Sequence, residues 1–183
     1  MSRIIKYIPD SYYKSILLID FLSLKEEGIK AIFIDIDNTL VSYDDPLPTN
    51  EVKELINKLL KLEFEVVLIS NNNYKRVSLF ANDLNLPFVS RAIKPFKRGY
   101  KKGLKLLKNK YRNNEILVIG DQFFTDISGG NKMGFKTILV KPVKTKTDVL
   151  TTKINRYRET KLINKLKKKH ANLFNEVLKG YDL

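Results

Sequence analysis

Residues 30–41 read KAIFIDIDNTLV. The stretch opens as a short, continuous apolar run, the pattern of a strand buried on both faces of a sheet. It closes by placing Asp35 and Asp37 two positions apart, followed by Asn38 and Thr39. Hydrophobic packing has no use for two acids there. Residues i and i+2 of a strand share a side, so both carboxylates are expected to face one crevice.

The same pattern recurs along the chain. EVVLIS (65–70), PFVS (87–90), EILVIG (115–120) and KTILV (136–140) read as further strands, nearly all apolar. Between them lie stretches of helical period. EVKELINKLLKL keeps Val52, Leu55, Ile56, Leu59 and Leu60 on one face behind Thr49 or Asn50 as a cap. A helix is expected from Tyr74 to Leu84, another through RGYKKGLKLLKNKY, and a short, Gly-broken one near 125–133. Buried strands alternating with helices predict an α/β fold, a Rossmann-like parallel sheet with helices on both faces.

At 183 residues and 43% hydrophobic, the chain has the size of one domain with a real core. It has no cysteine, which excludes disulfides, thiolate metal sites and cysteine nucleophiles, and fits a reducing compartment. Its one histidine, His170, excludes sites built on several imidazoles. The net charge of +14 favours anionic partners: phosphate, nucleic acid or an acidic membrane surface. Over half of that excess lies from Lys141 to Leu183. SILLIDFLSL, interrupted by Asp20, is far shorter than the ~20 residues a span needs, and no signal-peptide cleavage pattern accompanies it.

Three parts are expected. Residues 1–28 form a leader, read as helical from Tyr12, Tyr13, Ile16 and Leu17, packed on the core or touching a membrane through Arg3, Lys6 and Lys14. Residues 29–143 form the core. Residues 144–183 form a basic, helical tail, whose charge run at 165–169 is a solvated face or an anionic-surface contact.

In an open parallel sheet, ligands gather at the carboxyl ends of the strands. There this sequence places Asp35 and Asp37, then Ser70, Asn71 and Asn72, then Lys94, then Asp121 with Asp126 five residues on. An Asp after one strand is commonly a cap or turn residue; four strand ends carrying such groups in order are not. Acids crowded at one point call for a cation, and hard oxygen ligands suit Mg²⁺, which bridges readily to phosphate. One of Asp35 and Asp37 can attack as a nucleophile while the other handles protons. Lys94 can neutralise phosphate charge, and the Ser70 hydroxyl can donate to a phosphate oxygen.

DIDNTL, ISNNN, KP and GDQFFTDI resemble the four ordered motifs of the haloacid dehalogenase (HAD) phosphatase superfamily. The resemblance implies Asp35 as nucleophile, Asp37 as acid and then base, and Thr39 as support. It implies Ser70, Asn71 and Lys94 as phosphate-binding residues. It implies Mg²⁺ on Asp35, the Asp37 carbonyl and Asp121, with Asp126 as an outer-shell partner. The intervals from Asp37 to Ser70 and from Ser70 to Lys94 are each filled by a loop, a helix and a strand, so no cap domain fits.

IKAIFIDIDNTLV, ISNNNYKRV, IKPFKRGY and GDQFFTDISGGNKMGFKTILVKPV are more narrowly similar to the YqeG family of type IIIA HAD phosphatases, as is the leader PDSYYKSILLI. That family is similar to phosphatidylglycerophosphate (PGP) phosphatases of phospholipid biosynthesis. The resemblance implies a cytoplasmic enzyme, peripheral on the inner face of the membrane, acting on an anionic phospholipid. Arg76, one turn after the Asn run, is a candidate for the substrate's second phosphate or a surface arginine paired with a helix acid; Lys97 and Arg98 are weaker candidates. Two other readings stand beside this one. The chain is a phosphatase for a soluble metabolite or for nucleic-acid ends, or it is a non-catalytic, basic RNA- or membrane-binding protein on the same fold. No nucleic-acid module or stacking platform is legible.

Overall fold

Ala31–Ile34, the run AIFI, forms a strand whose four residues are all buried. In the computed structural model, which describes residues 4–144 and 150–181, this strand lies inside a six-stranded, all-parallel sheet. In chain order the strands are β1 (Ser11–Tyr13), β2 (Ala31–Ile34), β3 (Glu65–Ile69), β4 (Phe88–Val89), β5 (Ile116–Gly120) and β6 (Lys136–Val140). Their spatial order is β1-β6-β5-β2-β3-β4. The helices are α1 (Phe21–Glu26), α2 (Asn50–Lys61), α3 (Tyr74–Asp83), α4 (Lys97–Leu106), α5 (Ser128–Met133), α6 (Leu150–Lys169) and α7 (Ala171–Val177). A haloacid dehalogenase-like α/β sheet is therefore the fold.

Alternate residues of the strands feed two cores. Ile32, Ile34, Val66, Leu68, Leu117 and Ile119 pack with the apolar faces of α1, α2 and α3. Ala31, Phe33, Val67, Ile69 and Val118 pack on the other face with Tyr100 of α4 and Phe135. Phe33 is fully buried, 6.1 Å from the Tyr100 ring and 5.7 Å from Phe135. A Cβ on Gly103 would sit 2.6 Å from the Phe33 ring, so the glycine lets α4 lie this close to the sheet. Thr49 caps α2 by accepting from Val52 N, and Asn73 caps α3 by accepting from Arg76 N.

The leader departs from the helix expected of it. Ser11–Tyr13 is extended and pairs with β6, and only short helical turns follow, Ile16–Leu18 and α1. The free edge of β6 offers unpaired backbone groups that an extended segment satisfies, an opportunity invisible to periodicity. The stretch near 125–133 also divides. Phe123–Ile127 is a single π-helical turn, and α5 follows it.

The tail docks rather than projecting. Leu162, Ile163, Leu166, Phe174, Leu178 and Tyr181 are buried with Ile4, Phe123, Ile127 and Leu139 in a third apolar cluster. No helix among the described residues is long and apolar enough to cross a membrane. The segments after β2 (42–49) and after β4 (90–96) contain no inserted strand or helix, so neither carries a cap.

Candidate active site

Because all six strands run parallel, their carboxyl ends meet at one edge. Asp35 N donates to Ile119 O at 3.0 Å, extending the β2–β5 ladder by one residue. The chain then turns. Thr39 N and Leu40 N both donate to Ile36 O, and Asn38 takes a left-handed φ of 66°, which asparagine tolerates. The strand thus ends before the acids, and the i, i+2 rule is not what orients them. The turn sends the two carboxylates into different surroundings.

Asp35 is buried among charges. Its Oδ1 meets Lys94 Nζ at 2.6 Å, and its Oδ2 accepts from Thr39 Oγ1 at 3.3 Å. Lys94 Nζ also donates to Asp126 Oδ1 at 2.6 Å and to Ile69 O at 3.0 Å, which commits all three of its hydrogens. Asp126 Oδ2 accepts from Gln122 N and from Thr125 Oγ1. Asp35, Asp121 and Asp126 each bring one oxygen to a common point, all within 4.8 Å of one another, and all three residues are buried. Asp126, expected one shell out, thus stands inside the cluster. A Cβ on Gly120 would lie 2.3 Å from Asp126 Cγ, so only glycine allows that approach.

The electrostatics call for a further cation. Burial pushes the Asp35 carboxyl well above the ordinary range; Lys94 opposes this, while Asp126, Asp121 and Asp37 add to it. Burial also works against a charged Lys94, but Asp126 and Asp35 outweigh it and hold the ammonium above the usual lysine range. One lysine thus faces three buried carboxylates. A divalent ion with hard oxygen ligands matches the residual charge and the donor set.

Asp37 is half-buried and points elsewhere. Its Oδ1 takes Arg76 Nε at 2.7 Å and the Arg76 Nη2 at 2.6 Å; its Oδ2 takes Asn72 Nδ2 at 3.2 Å and Ser70 Oγ at 3.4 Å. Arg76 Nη2 donates on to Asp45 O at 3.0 Å, and the guanidinium lies 5.2 Å from the Tyr43 ring. Arg76 is therefore neither free nor paired with a helix acid; it fastens α3 to Asp37 and to the loop at 42–45. The side chain of Asn71, the residue the resemblance assigns to the phosphate, clamps the lysine loop. Its Oδ1 accepts from Lys94 N at 2.6 Å, and its Nδ2 donates to Lys94 O at 3.2 Å.

Residues 2–144 match the family described as mitochondrial PGP phosphatase. The chain belongs to that family. A relative, the probable phosphatase YqeG of Bacillus subtilis strain 168, is 37% identical over 163 residues, covering 89% of this chain and 93% of that one. Among solved structures, a haloacid dehalogenase-like hydrolase from Brucella suis 1330 superposes with a TM-score of 0.50 at 10% identity, over 73% of this chain and 100% of that one. The cobalt-bound deoxy-D-mannose-octulosonate 8-phosphate phosphatase of Haemophilus influenzae gives a TM-score of 0.50 at 17% identity, over 63% of this chain and 70% of that one. These two likenesses concern the fold.

In this PGP phosphatase family member one supporting group, Asn72, stood at a strand end without an assigned role, and another, Glu159, was not singled out in the sequence. Asn72 holds Asp37 from the second strand end. Glu159, 1% exposed, accepts from Phe123 N at 2.9 Å and so fixes the turn between Asp121 and Asp126. Its signal was present: Glu159 stands at helical spacing from Leu162, Ile163 and Leu166, an acid on an apolar face.

Proposed function

We propose that this chain is a Mg²⁺-dependent phosphomonoesterase that works through an aspartyl-phosphate and converts phosphatidylglycerophosphate to phosphatidylglycerol. The observation that carries the reading is the separation of two carboxylates at one strand end. Asp35 sits with Lys94, Asp121 and Asp126, while Asp37 sits apart on Ser70, Asn72 and Arg76. Family membership supports the substrate class.

In this reading an Asp35 carboxylate oxygen attacks phosphorus. The bond from phosphorus to the ester oxygen breaks, and Asp37 delivers the proton that the departing alcohol needs. Asp37, now a carboxylate, takes a proton from water as that water attacks the phosphorus of the acyl phosphate. The bond to Asp35 then breaks, which returns Asp35 as a carboxylate and frees inorganic phosphate. Lys94 and Ser70 hold phosphoryl oxygens, and Asn71 acts by fixing the Lys94 backbone. Mg²⁺, held by Asp35, Asp121, Asp126 and the Asp37 carbonyl, would supply charge neutralisation at the phosphoryl group. Arg76, bonded to Asp37, is the proposed contact for the substrate's second phosphate. The caplessness of the core suits a large or surface-presented substrate.

The test is phosphate release from PGP in mixed micelles, beside p-nitrophenyl phosphate and a 3′-phosphorylated oligonucleotide. The expected result is release from the lipid that EDTA abolishes and that Asp35→Asn lowers by about 10³-fold or more. Release from the soluble ester or the oligonucleotide alone would discard the lipid substrate. Undiminished turnover by Asp35→Asn would discard the nucleophile.

A further inference from the structure

Large apolar side chains are exposed in an uneven way. Leu17, Leu18, Leu47, Ile93, Phe96 and Val143 are all exposed, Phe96 at 65% and Leu18 at 64%. Each lies in a segment that follows the carboxyl end of a strand: β1, β2, β4 or β6. They therefore stand around the edge that opens on the aspartates. Backbone bonds tie these segments to the site: Val143 N donates to Asn38 O, and Phe96 N to Ile93 O one residue before Lys94. Elsewhere Ile5, Leu22, Leu60, Leu79 and Leu106 are scattered, and Ile154 and Tyr157 lie one turn apart on α6; scattered exposed apolar residues are ordinary for a protein surface.

The charges divide in the same way. At the amino edge of the sheet four lysines are neutralised, Lys25 by Glu63, Lys30 by Glu115, Lys110 by Glu65 and Lys136 by Glu27, while Lys61 and Lys108 are in no ion pair among the described residues. At the carboxyl edge, Lys14, Arg91, Lys97, Arg98 and Lys141 are exposed, and among the described residues none of them is in an ion pair. An apolar rim interleaved with uncompensated cations is complementary to one kind of surface, an anionic bilayer. Apolar groups enter the acyl boundary while basic groups meet the headgroups. The rim also exposes Asp44, paired with Lys144, and Asp45, but the five unpaired cations leave a surplus of positive charge that a protein partner of ordinary composition would not call for.

We infer that the carboxyl edge of the sheet is a membrane-docking face for anionic lipid, with Leu17, Leu18, Ile93 and Phe96 entering the interface around the mouth of the site. The inference deepens the lipid-phosphate reading and rests on it for the substrate. Docking by itself needs no turnover, so the two are separable by experiment. Docking in this pose delivers a headgroup phosphate to Asp35 without lifting the lipid from the bilayer, which explains why a capless site suffices.

The chain has no tryptophan, so Phe96→Trp in the full-length protein installs a single reporter on the rim. With vesicles of phosphatidylcholine and phosphatidylglycerol at about 0.1 M salt, its emission should shift to the blue. The shift should shrink at about 1 M salt, where screening acts within a few ångströms, and with phosphatidylcholine alone. Leu106→Trp, at the amino edge, should not shift. Leu17→Ser with Leu18→Ser, and Lys14→Glu with Lys141→Glu, should each lower vesicle partitioning about tenfold while p-nitrophenyl phosphate turnover stays at the wild-type level. No shift at Phe96→Trp, an equal shift at Leu106→Trp, or wild-type partitioning of both double variants would overturn the docking face. Docking without PGP hydrolysis would uphold this face and remove the substrate; PGP hydrolysis without docking would do the reverse.

Discussion

Gly120 shows how much of the site rests on one missing methyl. Its Cβ would fall 2.3 Å from Asp126 Cγ and 2.6 Å from Oδ2. Gly120→Ala must push Asp126 away from Lys94, and the cluster then loses one wall. The expected outcome is a loss of about 1–3 kcal/mol from local overpacking, with a raised Mg²⁺ requirement for turnover. Thermal melting and a Mg²⁺ titration of activity check both parts; an unchanged titration would separate Asp126 from the metal. At this scale the positions of Asp35, Asp37, Ser70 and Lys94 at the strand ends were legible from their order along the chain. The work of Asn71 and Arg76 was not. Both side chains reach across the site to partners far apart in sequence, Lys94 and Asp37, and no local pattern encodes such a pairing.

At the scale of elements, the amino edge of the sheet is tied by Glu115. Its carboxylate takes Lys30 Nζ at 2.6 Å and Arg112 N at 2.8 Å, joining the start of β2 to the turn before β5. The Lys30 bond first, then the Arg112 backbone bond, hold the Glu115 carboxyl at about 2, below its ordinary 4.5. A carboxylate with a depressed folded-state pKa stabilises most above its unfolded value and loses that contribution as pH falls through the folded one. The melting temperature of wild type should therefore exceed that of Glu115→Gln most clearly above pH 4.5. The gap should close as pH falls from 4.5 toward 2; a gap independent of pH would mean that the bonds are not charge-assisted. The central strands and α2 to α4 were readable because their apolar runs and periodic faces are local. β1 was not, because Ser11–Tyr13 becomes a strand only by meeting the free edge of β6.

For the whole molecule, the tail is part of the folded unit. α6 and α7 bury Ile163, Leu166 and Leu178 against Phe123, Ile127 and Leu139, and Glu159 serves the backbone of the turn between Asp121 and Asp126. Glu159→Ala leaves Phe123 N buried without that acceptor, at a cost of about 1–3 kcal/mol. Its melting point should fall by roughly 3–10 °C and its Mg²⁺ requirement should rise, with Glu159→Gln restoring most of both. Equal behaviour of the two variants would reduce Glu159 to packing. The tail reaches the carboxyl edge itself, where Glu159 accepts from Phe123 N and Asn155 Nδ2 donates to Gln122 Oε1 in the segment that follows β5. The order of strands and helices, the sheet's parallel sense and the set of polar residues at the strand ends follow from short-range pattern, because burial on two faces and helical period are written within a few residues. Which carboxylates share a cation, what Arg76 and Asn71 hold, how the leader joins the sheet and where the tail docks are long-range matters. They depend on groups distant in the chain meeting through packing and complementary charge, and those meetings exist only once the fold has closed.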